Sequence, residues 1–562
     1  MYGSIPVPSG GSHRRRSTGS FANGSVNSVE HFRASYTRAQ SFLSMGSPHR
    51  QRSFFIEATS GSDIYEDTVD EVGDDDIEGY YDEQSGLLRV PPERRERRVS
   101  YSAPVDEGYE IIEEHEANCE DSDVEPVIVR TTKDPEGNTM VRVAGQSTAQ
   151  QTIFNSVNVL IGIGVFSLPL GFAYSGWLFG MIFMAFAGGS TMYTAILLSK
   201  CQDTDHTLVT YADIAYAAFG TRARVLVSIL FSVELLGSGV SMFVLFADSL
   251  NALIPHISVT AFKLIAFALV TPLTLLPLRF LSVASLIGIS GILLLLGTVL
   301  TAGVRTGAHP GSLLHPMDTW FLPRQWFAVP LSIGIFMVPW GGHAVFPNIY
   351  RDMRRPKSYK NALATVYQLT FFCDIAFAVS GFLMFGRTIT GEVTKNVLLI
   401  PGTSKITGYI ITGVVGLIPI VKTPLSARPI VSTVDILLGI NSHHRLHYHH
   451  SHHSHNTHES SRWKEIGDMI GKMSTTILTV ASFCALSILF PDFERILAFA
   501  GSALCVVTCL TLPIAFYLKL YKDRISRTEL IVDYILIALS IVLAILGTIW
   551  SCLPTRWFRL DN

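Results

Sequence analysis

Three ionisable side chains, Glu234, His343 and Asp374, stand inside long apolar runs of this 562-residue chain. Placing an acid or base at the centre of a bilayer-spanning helix costs about 2.5 to 3.5 kcal/mol on insertion scales, so such groups mark ion and substrate pathways. A carboxylate withdrawn from water favours its neutral form, which suits it to exchanging protons. Each of the three is therefore a candidate for proton coupling, with a satisfied structural polar group as its other reading. Lys422 falls near the end of its own apolar run and is expected to snorkel to the interface.

The second kind of chemistry lies in the backbone. The first apolar run, from Gln151 to Gly176, is interrupted by Gly162, Ile163 and Gly164 and then by Pro169. The sixth, from Phe327 to Pro347, is interrupted by Pro339, Gly341 and Gly342. A bilayer tolerates unpaired backbone only where protein or a water-filled cavity surrounds it, so both breaks should line a site. The N–H groups that open after Gly164, through Val165 and Phe166, suit a carboxylate. Carbonyls at the opposed end, around Met337 to Trp340, suit an ammonium group. Together they would read both ends of an α-amino acid. Phe166 and Trp340 either shape a side-chain pocket or simply pack. Asn155 and Asn158, three residues apart and on nearly one helical face, either contact the substrate or an ion, or bond between helices.

The elements that must position these residues are transmembrane helices. With 48% hydrophobic and 16% charged residues the chain lies outside the soluble globular range, where charged residues make up about a quarter. Eleven apolar runs approach spanning length: 151–174, 178–199, 225–250, 261–278, 282–304, 327–350, 362–385, 408–423, 474–489, 496–518 and 530–550. The eighth is expected to be broken at its end by Pro419, Pro424 and Pro429. The two broken helices are the first and the sixth, five positions apart, the spacing of an inverted pair of five-helix repeats. The fold class expected is an all-α polytopic membrane protein with broken helices one and six in a 5+5 repeat, followed by an eleventh helix. Lys and Arg are about twice as frequent in the loops on the side of the N-terminal tail, which places that tail in the cytosol and the short C-terminus, 552–562, in the lumen.

Residues 1–149 are polar and then strongly acidic, and are expected to be a disordered cytosolic tail ahead of a transporter domain at 150–551. Within the tail, Glu83, Leu87 and Leu88 fit an acidic dileucine signal for a sorting adaptor, and Arg97-Arg98-Val99-Ser100 offers a kinase site. A histidine-rich cytosolic loop at 440–465 reads as a solvated low-complexity segment, since its spacing fits no tetrahedral metal site. No metal or other cofactor is expected. The seven cysteines show no CxxC pair, and a net charge of −3 argues against a nucleic-acid partner. No nucleophile with a positioned base stands in the apolar core, so an enzyme is not expected.

The segment TIFNSVNVLIGIGVFSLPLGFAYSGW resembles the first-helix signature of the amino acid/auxin permease family. PWGGHAVFPNIYRDM is similar to the fungal vacuolar amino acid transporters in its vesicular inhibitory amino acid transporter branch, and ELLGSGVSMFVLFADSLN and KTPLSARPI support the match. The resemblance covers about Gln151 to Trp550. It implies ten helices in the inverted-repeat fold plus an eleventh, and proton-coupled movement of neutral amino acids into the vacuole in exchange for protons. It aligns Gly162, Ile163, Gly164 and Val165 with the substrate-carboxylate segment, and Asn158 with a position that helps hold an ion in sodium-coupled relatives. Partners are then neutral amino acids, protons, the lipid bilayer and a sorting adaptor. An exporter, a plasma-membrane permease and an amino-acid-sensing receptor that signals through its tail stay open as alternatives.

Overall fold

The computed structural model describes Ser35, residues 110–117, 127–133 and 139–143, and residues 145–558 apart from 206–207, 277, 401–403, 439–457 and 523. The sorting motif at Glu83, Leu87 and Leu88, the kinase motif and most of the histidine-rich loop lie outside the described residues.

The first broken span is α1 (Ala149–Leu160), a 3₁₀ turn at Ile163–Ser167, and the start of α2 (Leu168–Asp203). Helix α1 starts at a capping box in which the Thr148 hydroxyl accepts from the Gln151 N–H and the Gln151 side chain accepts from the Thr148 N–H. Within α2, Gly176 leaves the helical basin at φ 69° and ψ 177°, so this run consists of two helices, as the gap between the first two apolar runs predicts. The chain continues through α3 (Tyr211–Phe219), α4 (Thr221–Leu253), α5 (Val259–Thr274) and α6 (Leu278–Arg305). Next come α7 (Val329–Met337), a 3₁₀ turn at Val338–Trp340 and α8 (Phe346–Arg351), which form the second broken span. Then follow α9 (Tyr359–Phe385), α10 (Val393–Leu398), α11 (Lys405–Leu438), α12 (His458–Leu489) and α13 (Phe493–Phe499). Two π-helical segments, Ala500–Cys505 and Val507–Thr511, lead into α14 (Leu512–Leu520), and α15 (Arg527–Ser551) closes the bundle.

Among the described residues, eight helical runs are long and apolar enough to cross a membrane, and Val259–Thr274 and Trp326–Trp340 are shorter apolar ones. The molecule is a multi-pass, almost entirely helical membrane protein. Its principal core surrounds the two broken spans, with Leu160, Phe166, Phe172, Phe336, Trp340, Phe346 and Phe377 all buried. Helix α15 instead turns Ile531, Ile535, Val542, Ile545 and Ile549 outward, as a lipid-facing helix does. The tail-side ends of the broken spans are joined by main chain: the Ser147 N–H donates to the Asp352 carbonyl at 2.7 Å, and the Arg354 N–H donates to the Ser147 carbonyl at 2.8 Å.

Two expectations need correction. The stretch read as disordered contains a three-stranded antiparallel meander of β1 (Glu110–Ala117), β2 (Val127–Lys133) and β3 (Thr139–Val143), with β2 in the middle. Its strands are rich in Val, Ile and Thr, a local preference that the acidic composition of the tail concealed. The eighth run does not stop at its prolines, since α11 runs through Pro419, Pro424 and Pro429 to Leu438. Membrane helices carry such prolines where neighbouring groups re-satisfy the backbone. The prolines deprive the carbonyls of Val415, Ile420 and Leu425, four residues earlier, of their helical donors, and beside them the Thr423 and Thr433 hydroxyls bond back to the carbonyls of Pro419 and Pro429.

At Gly176 a Cβ would lie 2.8 Å from the Phe321 carbonyl oxygen, in a backbone region that is nearly glycine-only. Gly176→Ala is expected to destabilise the fold by roughly 1–3 kcal/mol, read as a lower melting temperature of the detergent-purified protein.

Candidate functional site

The two breaks meet. Helix α1 ends at Leu160, Ile161 turns away at φ −73° and ψ 95°, and Gly162 is extended. On the other span, Gly341 leaves the helical basin after Trp340, at φ −72° and ψ 62°. A Cβ built on Gly164 would lie 2.6 Å from Val338 Cγ1 and 3.4 Å from the Pro339 nitrogen, so only glycine lets the broken backbones come this close. One on Gly342 would lie 3.0 Å from Leu160 Cδ2, at the end of α1. Ile163, Gly164, Val165, Phe166, Trp340 and Gly342 are thereby gathered at one locus.

Helix α9 covers that locus with Tyr367, Thr370, Asp374 and Phe377, spaced three or four residues apart and so on one face. Tyr367 stacks on Trp340 at 5.2 Å between ring centroids, and Phe377 meets the edge of Phe166 at 5.8 Å. Asp374 sits on the stripe between these contacts and is 1% exposed. Trp340 Nε1, Thr370 Oγ1 and Asp374 Oδ2 are buried without hydrogen-bond partners among the described residues. Buried polar atoms of this kind call for water or a polar ligand.

Glu234 approaches from α4. Its carboxylate accepts from Cys505 Sγ and Thr508 Oγ1, each at 3.3 Å, and a Cβ on Gly341 would lie 3.2 Å from its Oε1. His343 lies just beyond the second break. Its Nε2 is 3.1 Å from the Thr191 carbonyl oxygen and 2.9 Å from Thr194 Oγ1. A carbonyl only accepts, so this geometry assigns the ring proton to Nε2. The Thr194 hydroxyl donates in turn to the Cys509 carbonyl at 2.6 Å. Glu234 and His343 thus both border the second break and are linked through the segment that carries Cys505, Thr508 and Cys509. That segment is π-helical, a geometry frequent at functional sites.

Asn155 and Asn158 are buried on α1. The Asn155 amide donates to the Ser35 hydroxyl at 2.8 Å, which brings a residue of the tail onto the first broken span. Lys422 does not snorkel as expected. Its Nζ donates to the Ile161 carbonyl at the first break, 2.8 Å away. The mid-run position of Lys422 within Lys405–Leu438 was hidden by reading the prolines as helix breakers. Cys505, Thr508, Thr194 and Tyr367 carry no signal in the sequence, because uncharged residues in apolar runs look the same in a site as in a core.

The description "transmembrane amino acid transporter protein" matches residues 145–553, which contain both breaks and every charged residue just described. The chain belongs to that family. Two amino acid transporters of Arabidopsis thaliana are similar along most of their length. AVT1D is 30% identical over 72% of this chain and 68% of its own, and AVT1E is 31% identical over 73% and 72%. A solved nucleobase-cation-symport-1 family transporter, in a closed conformation with bromovinylhydantoin bound, matches at 14% identity with a TM-score of 0.42, over 72% of this chain and 91% of its own. The protein is an amino acid transporter and not an enzyme, as the resemblance of the first and sixth helices implies.

Gly164→Leu is expected to push the breaks apart and to lower amino acid uptake into vesicles about tenfold or more, equivalent to about 1.4 kcal/mol, in protein that still elutes as a single species.

Proposed function

We propose that this transporter moves neutral amino acids across the vacuolar membrane by alternating access, importing them into the acidic lumen in exchange for protons. It does so with eleven spans, ten of them in two inverted repeats of five. In this reading the N-terminus is cytosolic and the C-terminus luminal. The observation that carries the reading is the close approach of Gly164 to Val338 and Pro339. An N-terminal helix end suits a carboxylate and a C-terminal end suits an ammonium, so two opposed breaks suit a zwitterion. Trp340 Nε1, the Tyr367 hydroxyl and Asp374 Oδ2 supply polar atoms around it.

Glu234 is the first choice for the coupled proton, ahead of His343 and Asp374. Its carboxylate receives a thiol and a hydroxyl, and the ion pairs among the described residues do not include it. A carboxylate without a cation beside a backbone break loses little by taking up a proton. The dileucine pattern at Glu83, Leu87 and Leu88 would direct the protein to the vacuole through an adaptor.

The test is purified full-length protein in vesicles with an imposed pH gradient, supplied with labelled glutamine, tyrosine or isoleucine. Gradient-dependent accumulation is expected, and uptake indifferent to the gradient would remove proton coupling. Glu234→Gln should keep amino acid exchange across the vesicle membrane but accumulate nothing above equilibrium. A tagged protein with Glu83, Leu87 and Leu88 replaced by alanine is expected to leave the vacuolar membrane in fluorescence microscopy.

A further inference from the structure

The connection between α9 and α11 carries a buried acid that the transport site does not use. Helix α9 starts just after the bridge between Ser147 and Arg354 and runs for 27 residues, about 40 Å, so α10 lies on the face away from the tail. Helix α10 is seated over the first break. It packs on the 3₁₀ turn Ile163–Ser167 and on α4, α6 and α11. Val393, its first residue, is fully buried. A Cβ built on Gly381 of α9 would lie 2.8 Å from Val393 Cγ2 and 2.5 Å from Pro169 Cγ, so the start of α10 and the resumption of the first span share one seat.

Glu392 immediately precedes this helix. The residue is 1% exposed, and both of its carboxyl oxygens are buried without a hydrogen-bond partner among the described residues. Its neighbours are mostly acids. Lys395, the cation that acts on it, is already committed to Asp248 of α4 at 2.9 Å. On α13, Glu494 Oε2 lies 3.0 Å from where a Cβ on the adjacent Gly391 would stand. The turn at the first break brings no charge, and Tyr174 of α2, beside Glu494, is a neutral phenol. Arg495 of α13 pairs with Asp492, while Arg305 at the end of α6 and Lys405 at the start of α11 are exposed. Burial, then Asp248, push the Glu392 carboxyl well above the usual carboxylate range; Lys395 opposes them and Glu494 adds to them.

A further negative charge, in a dry seat without a donor, is costly. A proton removes it. We propose that Glu392 is a second proton-binding site, on the face away from the tail, and that α10 is a lid that stays over the first break only while Glu392 holds its proton. On losing the proton the carboxylate must reach water, and the segment can carry it there as a unit. The Asn396 side chain accepts from the Thr390 N–H and hydroxyl and donates to the carbonyls of Thr390 and Glu392, which clasps the helix to its own lead-in. The bond to a neighbouring helix that must give is the one between Lys395 and Asp248. Glu234 borders the second break, whereas Glu392 governs access to the first from one face.

The test is hydrogen–deuterium exchange of residues 386–400 in purified full-length protein, from about pH 5 to about pH 8.5, each rate divided by the intrinsic rate at that pH. In the wild type, exchange of this segment should rise roughly fivefold or more in a single step, with α9 unchanged. The sign follows from the raised carboxyl: the closed lid has its full stability below the ordinary carboxylate range and loses it as pH climbs through the value Glu392 has when buried. Glu392→Gln, neutral and of the same shape, should stay slow throughout. A wild-type lid indifferent to pH, or a Glu392→Gln lid that opens as the wild type does, would overturn the proposal. Should Glu392→Gln fail to fold, Glu494→Gln decides. Removing a like charge should move the step to lower pH, and a step that does not move overturns the proposal. Exchange is read without transport, so its failure leaves the transport reading standing, and a protein that moves no amino acid leaves the lid standing.

Discussion

The fold is organised by the unpaired main chain of two helices that stop inside the membrane. A continuous helix satisfies its own N–H and C=O groups, whereas an interrupted one leaves several of each to be met by neighbours. Here the interruptions face each other at Gly164 and Val338, and the surrounding elements are arranged to serve them. Helix α9 lays an aromatic and polar stripe across both. Helix α4 brings a carboxylate to Gly341, and α11 brings an ammonium to Ile161. Opposite charges are thus supplied to different breaks.

Electrostatics at such a place is governed by what is nearby and dry. Glu234 is met by Cys505 and Thr508, weak neutral donors that leave its charge largely uncompensated. The Nε2 of His343 is fixed by the Thr191 carbonyl, while its Nδ1 is buried and has no partner among the described residues. Asp374 retains an oxygen without a donor. These groups are expensive to bury, and their collection around two breaks is easier to understand as a property of a transport site than as structural glue.

Much of this was legible in the sequence because its signals are backbone signals. Gly162, Gly164, Pro339, Gly341 and Gly342 name the breaks by residue type, and apolar run lengths locate the helices that flank them. Contacts between distant parts of the chain were not legible. Nothing in ALCVVTCL shows that it is π-helical, or that Cys505 and Thr508 turn toward a carboxylate some 270 residues earlier. Lys422 was misread for a local reason, since prolines that would end a soluble helix are carried through in α11. In the tail, acidic composition outweighed the β-branched residues that form three short strands.

The main-chain bridge between Ser147 and the Asp352–Arg354 segment has a mechanical consequence. It splices the entry to the first broken span onto the exit from the second, so these two ends form a single lever arm. A lever pinned there cannot shear one end past the other; it can only pivot, and the flexure falls on the residues that are already unwound. The glycines at the centre of the molecule would then be its hinges as well as the points where the two broken spans touch, and a cargo seated between them would sit on the axle.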